Sequence, residues 1–492
     1  MSATYKQRLR GWLSYAFASE AFVVVSLTLF LPICLEQFAR DNGFLQPEKT
    51  ESCSSLSGVT PANADGRCAV KISWLWIDTA SFSLYVYSLS VALQALTVIS
   101  MGSIADRPSY RKPLLLTFAA IGAFSASLFL PLSSTSSLWM VSALFAILAN
   151  VGFGASIVAM NAYLPSLGKD SPEVVQAYSE LTSSSENQNE NAALASVDLE
   201  LEPSFEEVSD PLLGHPTHPD IAQSNYTAAL SRATSRISSL GIASGYGAGI
   251  ILLLVALIPV TRLHGSTFSL RLAIGLSGIW WALFSIPAAI WLPNASTIDE
   301  PESGSIKPDD DWTFSSEIVA AWKRLGVMLR WREIKRLQHT FRYLAAWFLL
   351  SDGFTTITST AILFGKTTLH MEASSLVLIG AITPLSGIIG SLVSPILQRK
   401  FMWSNLHVLV LLVMMVSLIP AYGCLGFLPI FKGTARFGGL TTQGEMFGLA
   451  VYFGFAYGAF QSYARAFYAE LLPPGEEARW YGLFSITDKV GR

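Results

Sequence analysis

Long apolar stretches separated by short polar ones run through most of the chain. Stretches of roughly 17–25 mostly apolar residues cross a bilayer as helices, because the backbone there must satisfy its hydrogen bonds internally. An eleventh apolar stretch begins near Trp480. The pattern therefore predicts an all-α polytopic membrane protein with ten full spans, near residues 11–36, 79–104, 113–132, 138–161, 241–260, 271–292, 342–364, 374–396, 406–428 and 446–464.

Two polar segments interrupt this pattern. Residues 167–238 are rich in Ser, Glu, Asn and Asp, and they are too poor in apolar periodicity to build a core, which predicts an acidic disordered loop. Residues 294–341 form a linker whose basic amphipathic helix either lies on a lipid leaflet or is an ordinary connector. The chain is thus predicted to have five parts. Spans one to four lie in residues 1–166, the acidic loop in 167–238, and spans five and six in 239–293. The linker follows at 294–341, and residues 342–492 contain spans seven to ten and the start of an eleventh.

Basic residues cluster in the loops on one side of these spans. The positive-inside rule makes that side cytosolic and places the N-terminus there, with Arg262 and Arg271 as exceptions on the other side. The basic residues that set this orientation are Lys6, Arg8, Arg10, Arg107, Arg111, Lys112, Lys323, Arg324, Arg330, Arg332, Lys335, Arg336, Arg399 and Lys400.

Composition agrees with a membrane protein and excludes several other classes. Only 14% of residues are charged, against about 25% in soluble domains. The net charge of −3 argues against nucleic acid as a partner. The sequence contains no nucleophile elbow, phosphate-binding loop or zinc-type cysteine spacing. We therefore expect no enzymatic activity, no cofactor and no metal.

Two of the four cysteines flank a polar loop. Cys53 and Cys68 follow the first span and precede the second, on the side opposite the basic loops. They could form a disulfide if that loop faces an oxidising lumen, or they could be two free thiols. Both interpretations stay open from the sequence.

The chain contains an internal repeat that three pairs of segments reveal in the same order. Ser-Glu-Ala-Phe at residues 19–22 matches Ser-Asp-Gly-Phe at 351–354. GSIADRPSYRK at 102–112 matches GSLVSPILQRK at 390–400, and GASIVAMNAY at 154–163 matches GAFQSYARAF at 458–467. Two six-span halves related by an axis along the membrane normal are the major facilitator arrangement. The second half is expected to be truncated, because the chain ends where the counterpart of span five would begin.

The loop after span two resembles the signature loop of the major facilitator superfamily. There, a carboxylate at one helix end and facing arginines act as an ionic latch. The segment 108–110, Pro-Ser-Tyr, departs from the glycine-bearing turn of that motif and shifts the basic pair by one residue. A purely topological role for the basic residues is the alternative. The motif residues are Gly102, Asp106, Arg107, Arg111 and Lys112.

Two carboxylates lie about ten residues into their spans, near the bilayer midplane. An ionised carboxylate there costs about 2.5–3.5 kcal/mol, so it needs water, a cation or a proton. Glu20 and Asp352 could bind a substrate amino group or a proton, pair with Arg465 or another structural partner, or be tolerated near a hydrated helix end. Weaker candidates for a cavity lining are Tyr15, Asn150, Tyr246, Trp281, Thr355 and Gln461.

Several longer stretches resemble one family more specifically. They include RGWLSYAFASEAF, FGASIVAMNAYLPSL, RLAIGLSGIWWALFSIPAAIWLP and AWFLLSDGFTTITSTAILFGKTTL. These stretches are similar to the fungal autophagy-related protein 22 family of vacuolar effluxers. The resemblance implies a vacuolar membrane protein that exports amino acids, leucine among them. Coupling to protons is a separate hypothesis, drawn from the two intramembrane carboxylates. A non-transporting receptor or scaffold that acts through the acidic loop is the alternative.

Overall fold

A computed structural model describes residues 3–46, 51–53, 68–72, 74–184, 218–263, 266–293, 314–371, 373–426 and 438–490. The first helix is continuous but changes its winding: α1 (Ala3–Ala21) runs into a π-helical segment (Phe22–Phe30) and then into α2 (Leu31–Asp41). The next helices are α3 (Thr79–Asp106), α4 (Pro108–Ser127), α5 (Val141–Asn161), α6 (Leu164–Lys169) and α7 (172–184). The remaining helices are α8 (His218–Arg262), α9 (Thr267–Trp291), α10 (Phe314–Met328), α11 (Trp331–Arg336), α12 (Gln338–Thr367), α13 (Ala373–Phe401), α14 (Asn405–Leu425), α15 (Gln443–Glu470) and α16 (Glu477–Val490).

The helices follow the predicted spans. By length and composition, eight helices among the described residues are long and apolar enough to cross a membrane. The predicted spans at 113–132 and 446–464 correspond to α4 and α15, which lie in the same bundle without meeting that criterion. Pro108 occupies the first turn of α4, where its missing N–H costs nothing, so this helix begins and ends earlier than predicted.

One end of the bundle gathers the predicted basic loops, and we call it the basic end: residues 3–10, 106–112, 166–184, 314–336, 399–405 and 470–480. Ion pairs and hydrogen bonds link its loops: Arg8 pairs with Asp170 at 2.8 Å, and Arg236 pairs with Glu173 at 3.5 Å. At the opposite end, the Asn42 side chain donates to the Ser134 carbonyl at 2.7 Å. The loops therefore separate to two ends as the span pattern predicts.

A small sheet caps the end opposite the basic end, which the sequence did not predict. Its strands β1 (Phe44–Leu45), β2 (Cys68–Ile72) and β3 (Leu75–Asp78) pair antiparallel in that order. A disulfide joins Cys53 to Cys68, with Cα atoms 6.2 Å apart, within the usual range for such bonds. The pairing that the sequence left open is thus present in this structure.

Helices occupy part of the segment predicted as a disordered loop, residues 167–238. Helix α7 covers 172–184, and α8 begins at His218, well before the predicted span at 241. Val174 and Ala177 of α7 pack against Ala229 and Ala233 of α8, and this apolar contact lets the polar segment continue as helix. The rest of the predicted loop, residues 185–217, lies outside the described residues.

The predicted amphipathic helix corresponds to α10, which rests against the basic end of α3. Glu317 accepts from Arg107 at 2.6 Å and pairs with Arg324 at 3.6 Å. The Trp322 indole donates to the Ser100 hydroxyl at 3.2 Å. Val319 and Trp331, on α10 and α11, are exposed. One face of α10 therefore contacts the bundle, while apolar side chains of α10 and α11 are exposed next to basic ones.

Candidate functional site

Glu20 lies where the first helix meets α8. Its Cβ and Cγ occupy the space that a side chain at Gly245 would need, at 2.7 and 2.5 Å from the position of a Cβ there. The carboxylate side chain is half-buried. The π-helical winding begins two residues later, at Phe22, and π-helical turns are frequent at functional sites. The sequence predicted the carboxylate but not the change of winding beside it.

Arg465 of α15 is a buried cation that interacts electrostatically with Glu20. Its guanidinium Nη1 donates to Asn161 Oδ1 at 3.2 Å, and its Nε donates to Ser238 Oγ at 3.1 Å. The guanidinium carbon lies 5.5 Å from the centre of the Trp12 ring. Glu20 and Tyr246 both act on Arg465 electrostatically. A cation of the last third of the chain is thus embedded among residues of the first half.

Tyr246 also reaches across the two halves. Its ring atoms lie next to Gly387 of α13, where a Cβ would come within 2.9 Å of Cε2. Gln461, one turn before Arg465 on α15, donates to the Tyr457 hydroxyl at 2.7 Å and is half-buried. Glu20 and Tyr246 are therefore two predicted lining residues that lie where the halves meet, and both interact electrostatically with Arg465.

Asp352 has different surroundings from its repeat partner Glu20. It is exposed on α12, while the preceding Ser351 is buried and donates to Asp488 Oδ1 of α16 at 2.7 Å. Thr355 is half-buried, and its hydroxyl donates to the Ser351 carbonyl at 2.9 Å. The repeat predicted matching faces for the two carboxylates, but their immediate packing is not the same.

Three predicted lining residues are fully buried inside the first half. Trp281 stacks on Phe22 with ring centroids 5.2 Å apart, and Tyr15 lies against Trp281. The Asn150 amide donates to the Ser90 hydroxyl of α3 at 2.6 Å. A substrate could reach these side chains only if this packing opened, so the structure favours a packing role for them.

The predicted latch residues meet the start of α16. Asp106 Oδ1 accepts from the backbone N–H of Ala478 at 2.7 Å and of Arg479 at 3.2 Å, and Oδ2 lies 3.4 Å from Arg479 Nε. A carboxylate is favoured there because a helix N-terminus has unsatisfied N–H groups and a positive dipole end. Gly102 lies against the Arg479 backbone, where a Cβ would come within 3.1 Å of Cα.

The basic residues of the motif hold other elements. Arg111 is buried; it donates to the Ala162 carbonyl at 2.9 Å and lies 3.4 Å from Glu477 Oε2. The Lys112 ammonium donates to the Leu292 carbonyl, after the end of α9, at 2.8 Å. Arg107 points to α10 instead. Despite the Pro-Ser-Tyr departure from the motif, Asp106 and Arg111 therefore both contact α16.

The second copy of this loop contacts α8 through neutral groups. Gln398 Oε1 accepts from Ser235 at 3.0 Å and from Tyr463 at 2.9 Å, while its amide donates to Asn405 at 2.6 Å. Ser394, the counterpart of Asp106 in the repeat, bonds only within its own helix in the contacts described, to the Gly390 carbonyl at 2.8 Å. This cluster of Gln398, Ser235, Tyr463 and Asn405, which we call the Gln398 cluster, was not predicted from the sequence.

A groove of about 600 Å³ opens at the basic end between α7, α8 and α13. Acidic and basic side chains line it, with Glu173 and Glu180 from α7 and Arg232, Arg236 and Arg399 from α8 and α13. It lies beside the Gln398 cluster. The residues predicted as the substrate lining are not among its walls.

Arg465 and Asn161 were not predicted as site residues, although the repeat contained the signal. In the aligned segments GASIVAMNAY and GAFQSYARAF, the two residues occupy the same position. Only the structure shows that they touch, at 3.2 Å. Their neighbours Ser238 and Trp12 carried no signal beyond lying in predicted helices.

The fold matches solved carriers. The human organic anion transporter MFSD10 (TETRAN) superposes with a TM-score of 0.58 at 12% identity, covering 100% of this chain and 92% of that chain. The major facilitator superfamily proton:xylose symporter XylE superposes with a TM-score of 0.54 at 9% identity, covering 99% and 86%. At these identities the likeness concerns the fold alone. The predicted major facilitator-type bundle is confirmed.

Sequence relatives define the family more narrowly. The model of the family described as "Vacuole effluxer Atg22 like" matches residues 4–492. Autophagy-related protein 22 of Cryptococcus neoformans is 41% identical over 517 residues, 98% of this chain and 87% of that protein. Its namesake from Coccidioides immitis is 38% identical, covering 99% and 80%. The chain belongs to the Atg22-like vacuole effluxer family, which confirms the resemblance in its sequence.

Proposed function

We propose that this chain is a vacuolar membrane carrier that exports neutral amino acids, leucine among them, from the lumen to the cytosol by alternating access. Its halves would be residues 1–166 with helices α8 and α9, and residues 342–492. The basic end would face the cytosol, as the positive-inside rule requires. The family description and the relatives' names support the vacuole, efflux and autophagic recycling.

The observation that carries the proposal is the set of contacts between the two halves at the basic end, which we call the joint. Asp106 of the first half holds α16 of the second, and Arg465 of the second half bonds to Asn161 and Ser238 of the first. A carrier that opens alternately to two sides needs such a breakable closure at each side. Glu20, an intramembrane carboxylate, acts electrostatically on Arg465, and such residues mark substrate or ion pathways.

Proton coupling is the finer part of this proposal. Glu20 and Asp352 would exchange protons between an acidic lumen and a neutral cytosol. If so, collapsing the pH gradient should slow amino-acid release from loaded vesicles, and release that ignores the gradient would contradict coupling.

The test measures release of labelled neutral amino acids from acidified vacuolar vesicles that contain the full chain. Glu20→Gln with Asp352→Asn should abolish release that the unaltered chain supports. Glu333→Gln, which removes a half-buried carboxylate of α11 paired with the exposed Arg336, is the matched control and should keep it. Equal release from all three chains would contradict the assignment of the two carboxylates.

A scaffold is the second candidate, because α8 is much longer than a span. Its 45 residues extend about 68 Å at 1.5 Å per residue, against an apolar bilayer core of about 30 Å. The extra length packs on α7 at the basic end. A scaffold should tolerate the Glu20 and Asp352 substitutions, whereas a carrier should not, so the same vesicle assay separates the two.

A further inference from the structure

Arg465 lies at the pseudo-two-fold axis between the halves. It occupies the position in the second repeat that Asn161 occupies in the first, and the two side chains touch at 3.2 Å. Equivalent residues of two copies related by rotation can meet only close to the rotation axis. In a major facilitator-type carrier that axis lies along the membrane normal between the halves, where the transport path runs.

The guanidinium of Arg465 forms its hydrogen bonds with neutral groups of the first half. Its hydrogen bonds go to the Asn161 side chain and to the hydroxyl and carbonyl oxygens of Ser238, at 3.1–3.2 Å, and its planar group lies over Trp12. When the halves separate at the basic end, all of these contacts must break. A guanidinium freed in a low-dielectric site needs an anion, because an unpaired buried charge is very costly.

We propose that Arg465 takes the carboxylate of the transported amino acid when it leaves Asn161 and Ser238, so that substrate and closed joint compete for one guanidinium. A carboxylate is the anion whose planar fork matches guanidinium bidentately. Glu20, which acts electrostatically on Arg465, supplies the negative charge for the substrate ammonium. The site therefore selects zwitterionic α-amino acids over amines, and this selection rests on the proposed carrier function.

The first experiment compares leucine with 3-methylbutylamine, which is leucine without its carboxylate. The full chain in proteoliposomes should move leucine at least about 100-fold faster, since a site built for a polar group rejects the analogue that lacks it. Arg465→Gln should reduce that ratio to within about threefold of unity. Arg465→Lys, which keeps the charge and loses the fork, should give an intermediate ratio. A ratio unchanged in Arg465→Gln would overturn the proposal.

The second experiment reads the joint itself, independently of transport. On a Cys424→Ser background, Ser462→Cys places a thiol at a buried position of α15 whose carbonyl bonds Ser238. Leucine should raise the thiol labelling rate at least about tenfold, as expected when a ligand shifts a two-state equilibrium, and 3-methylbutylamine should not.

Asn161→Asp gives Arg465 a permanent carboxylate, so it should suppress both leucine-stimulated labelling and leucine transport by about tenfold or more. Asn42→Asp, at the opposite end, controls for the added charge and should suppress neither. If Asn161→Asp leaves labelling and transport unchanged, Arg465 does not exchange partners.

The two readouts keep this inference distinct from the carrier function. If the chain moves no amino acid, the carrier function fails. Labelling that rises with leucine and not with the amine would then still support the Arg465 exchange, and labelling that ignores leucine would overturn it.

Discussion

The two copies of the repeated loop close the basic end of the bundle with different chemistry. In the first copy, ionised groups meet a helix N-terminus: Asp106 accepts two N–H groups of α16 and faces Arg479. In the second copy, Gln398 accepts hydrogen bonds from the neutral hydroxyls of Ser235 and Tyr463. Internal duplication thus preserved the place of the joint and let its side chains diverge.

This difference between the two copies has a physical consequence for the opening of the joint. Charge-assisted hydrogen bonds are roughly twice as strong as neutral ones, so the Asp106 side should dominate the closed state. Exposed parts of that charged side respond to salt, whereas the buried hydrogen bonds of Gln398 join neutral groups and do not. The asymmetry predicts that mutations of the two copies differ in size and in salt dependence, and each can be measured as labelling of Ser462→Cys on the Cys424→Ser background.

The largest effect is expected from Asp106→Asn. The amide loses the charge that α16 and Arg479 stabilise, at a cost of about 1.5–3 kcal/mol. That cost corresponds to a shift of roughly 10- to 150-fold toward the open joint, seen as faster labelling. The equivalent substitution in the second copy, Ser394→Ala, should change labelling by less than about twofold. Equal effects of Asp106→Asn and Ser394→Ala on the labelling rate would contradict the asymmetry between the two copies.

A smaller effect is expected from Gln398→Ala. It leaves Ser235, Tyr463 and Asn405 with unmade bonds, at a cost of about 1–2 kcal/mol, and labelling should rise by the same factor in low and in high salt. Gln176→Ala, in the exposed part of α7, is the matched control and should have no measurable effect. A strong salt dependence of the Gln398→Ala effect would show that charge also acts in the second copy.

Arg107→Gln should act more weakly still. The Arg107 side chain is 38% exposed, whereas its partner Glu317 is 11% exposed, and the contribution should be about 1 kcal/mol or less. The effect should weaken toward 1 M salt, where the Debye length is about 3 Å. Arg336→Gln breaks an exposed pair within α11 and should leave the joint unchanged. A salt-independent effect of Arg107→Gln would contradict an electrostatic role.

The smallest effect on the joint is expected from replacing Cys53 and Cys68 together by serine. The bond closes a loop of sequence separation 15 at the opposite end, so labelling of Ser462→Cys should not change. Its loss should instead lower the free energy of unfolding by about 3 kcal/mol, measured by denaturant titration against the Cys424→Ser control. A changed labelling rate would mean that the two ends are coupled.

The sequence by itself determined where the helical spans lie, that basic loops gather on one side of them, and which family the chain belongs to. Apolar stretches of membrane length can satisfy the backbone only as helices, so their number and order follow from local composition. The resemblance to the superfamily's signature loop also indicated Asp106 and Arg111, both of which contact the start of α16.

Only the tertiary structure decided which polar groups meet. Trp281 and Asn150 are internal to one half, Arg465 bonds Asn161 across the halves, and Gln398 replaces the absent carboxylate of the second loop. A buried polar side chain must find a partner, but several helices can offer one. Which helix does so depends on how the two halves pack, and that packing is set by contacts between residues far apart in the chain.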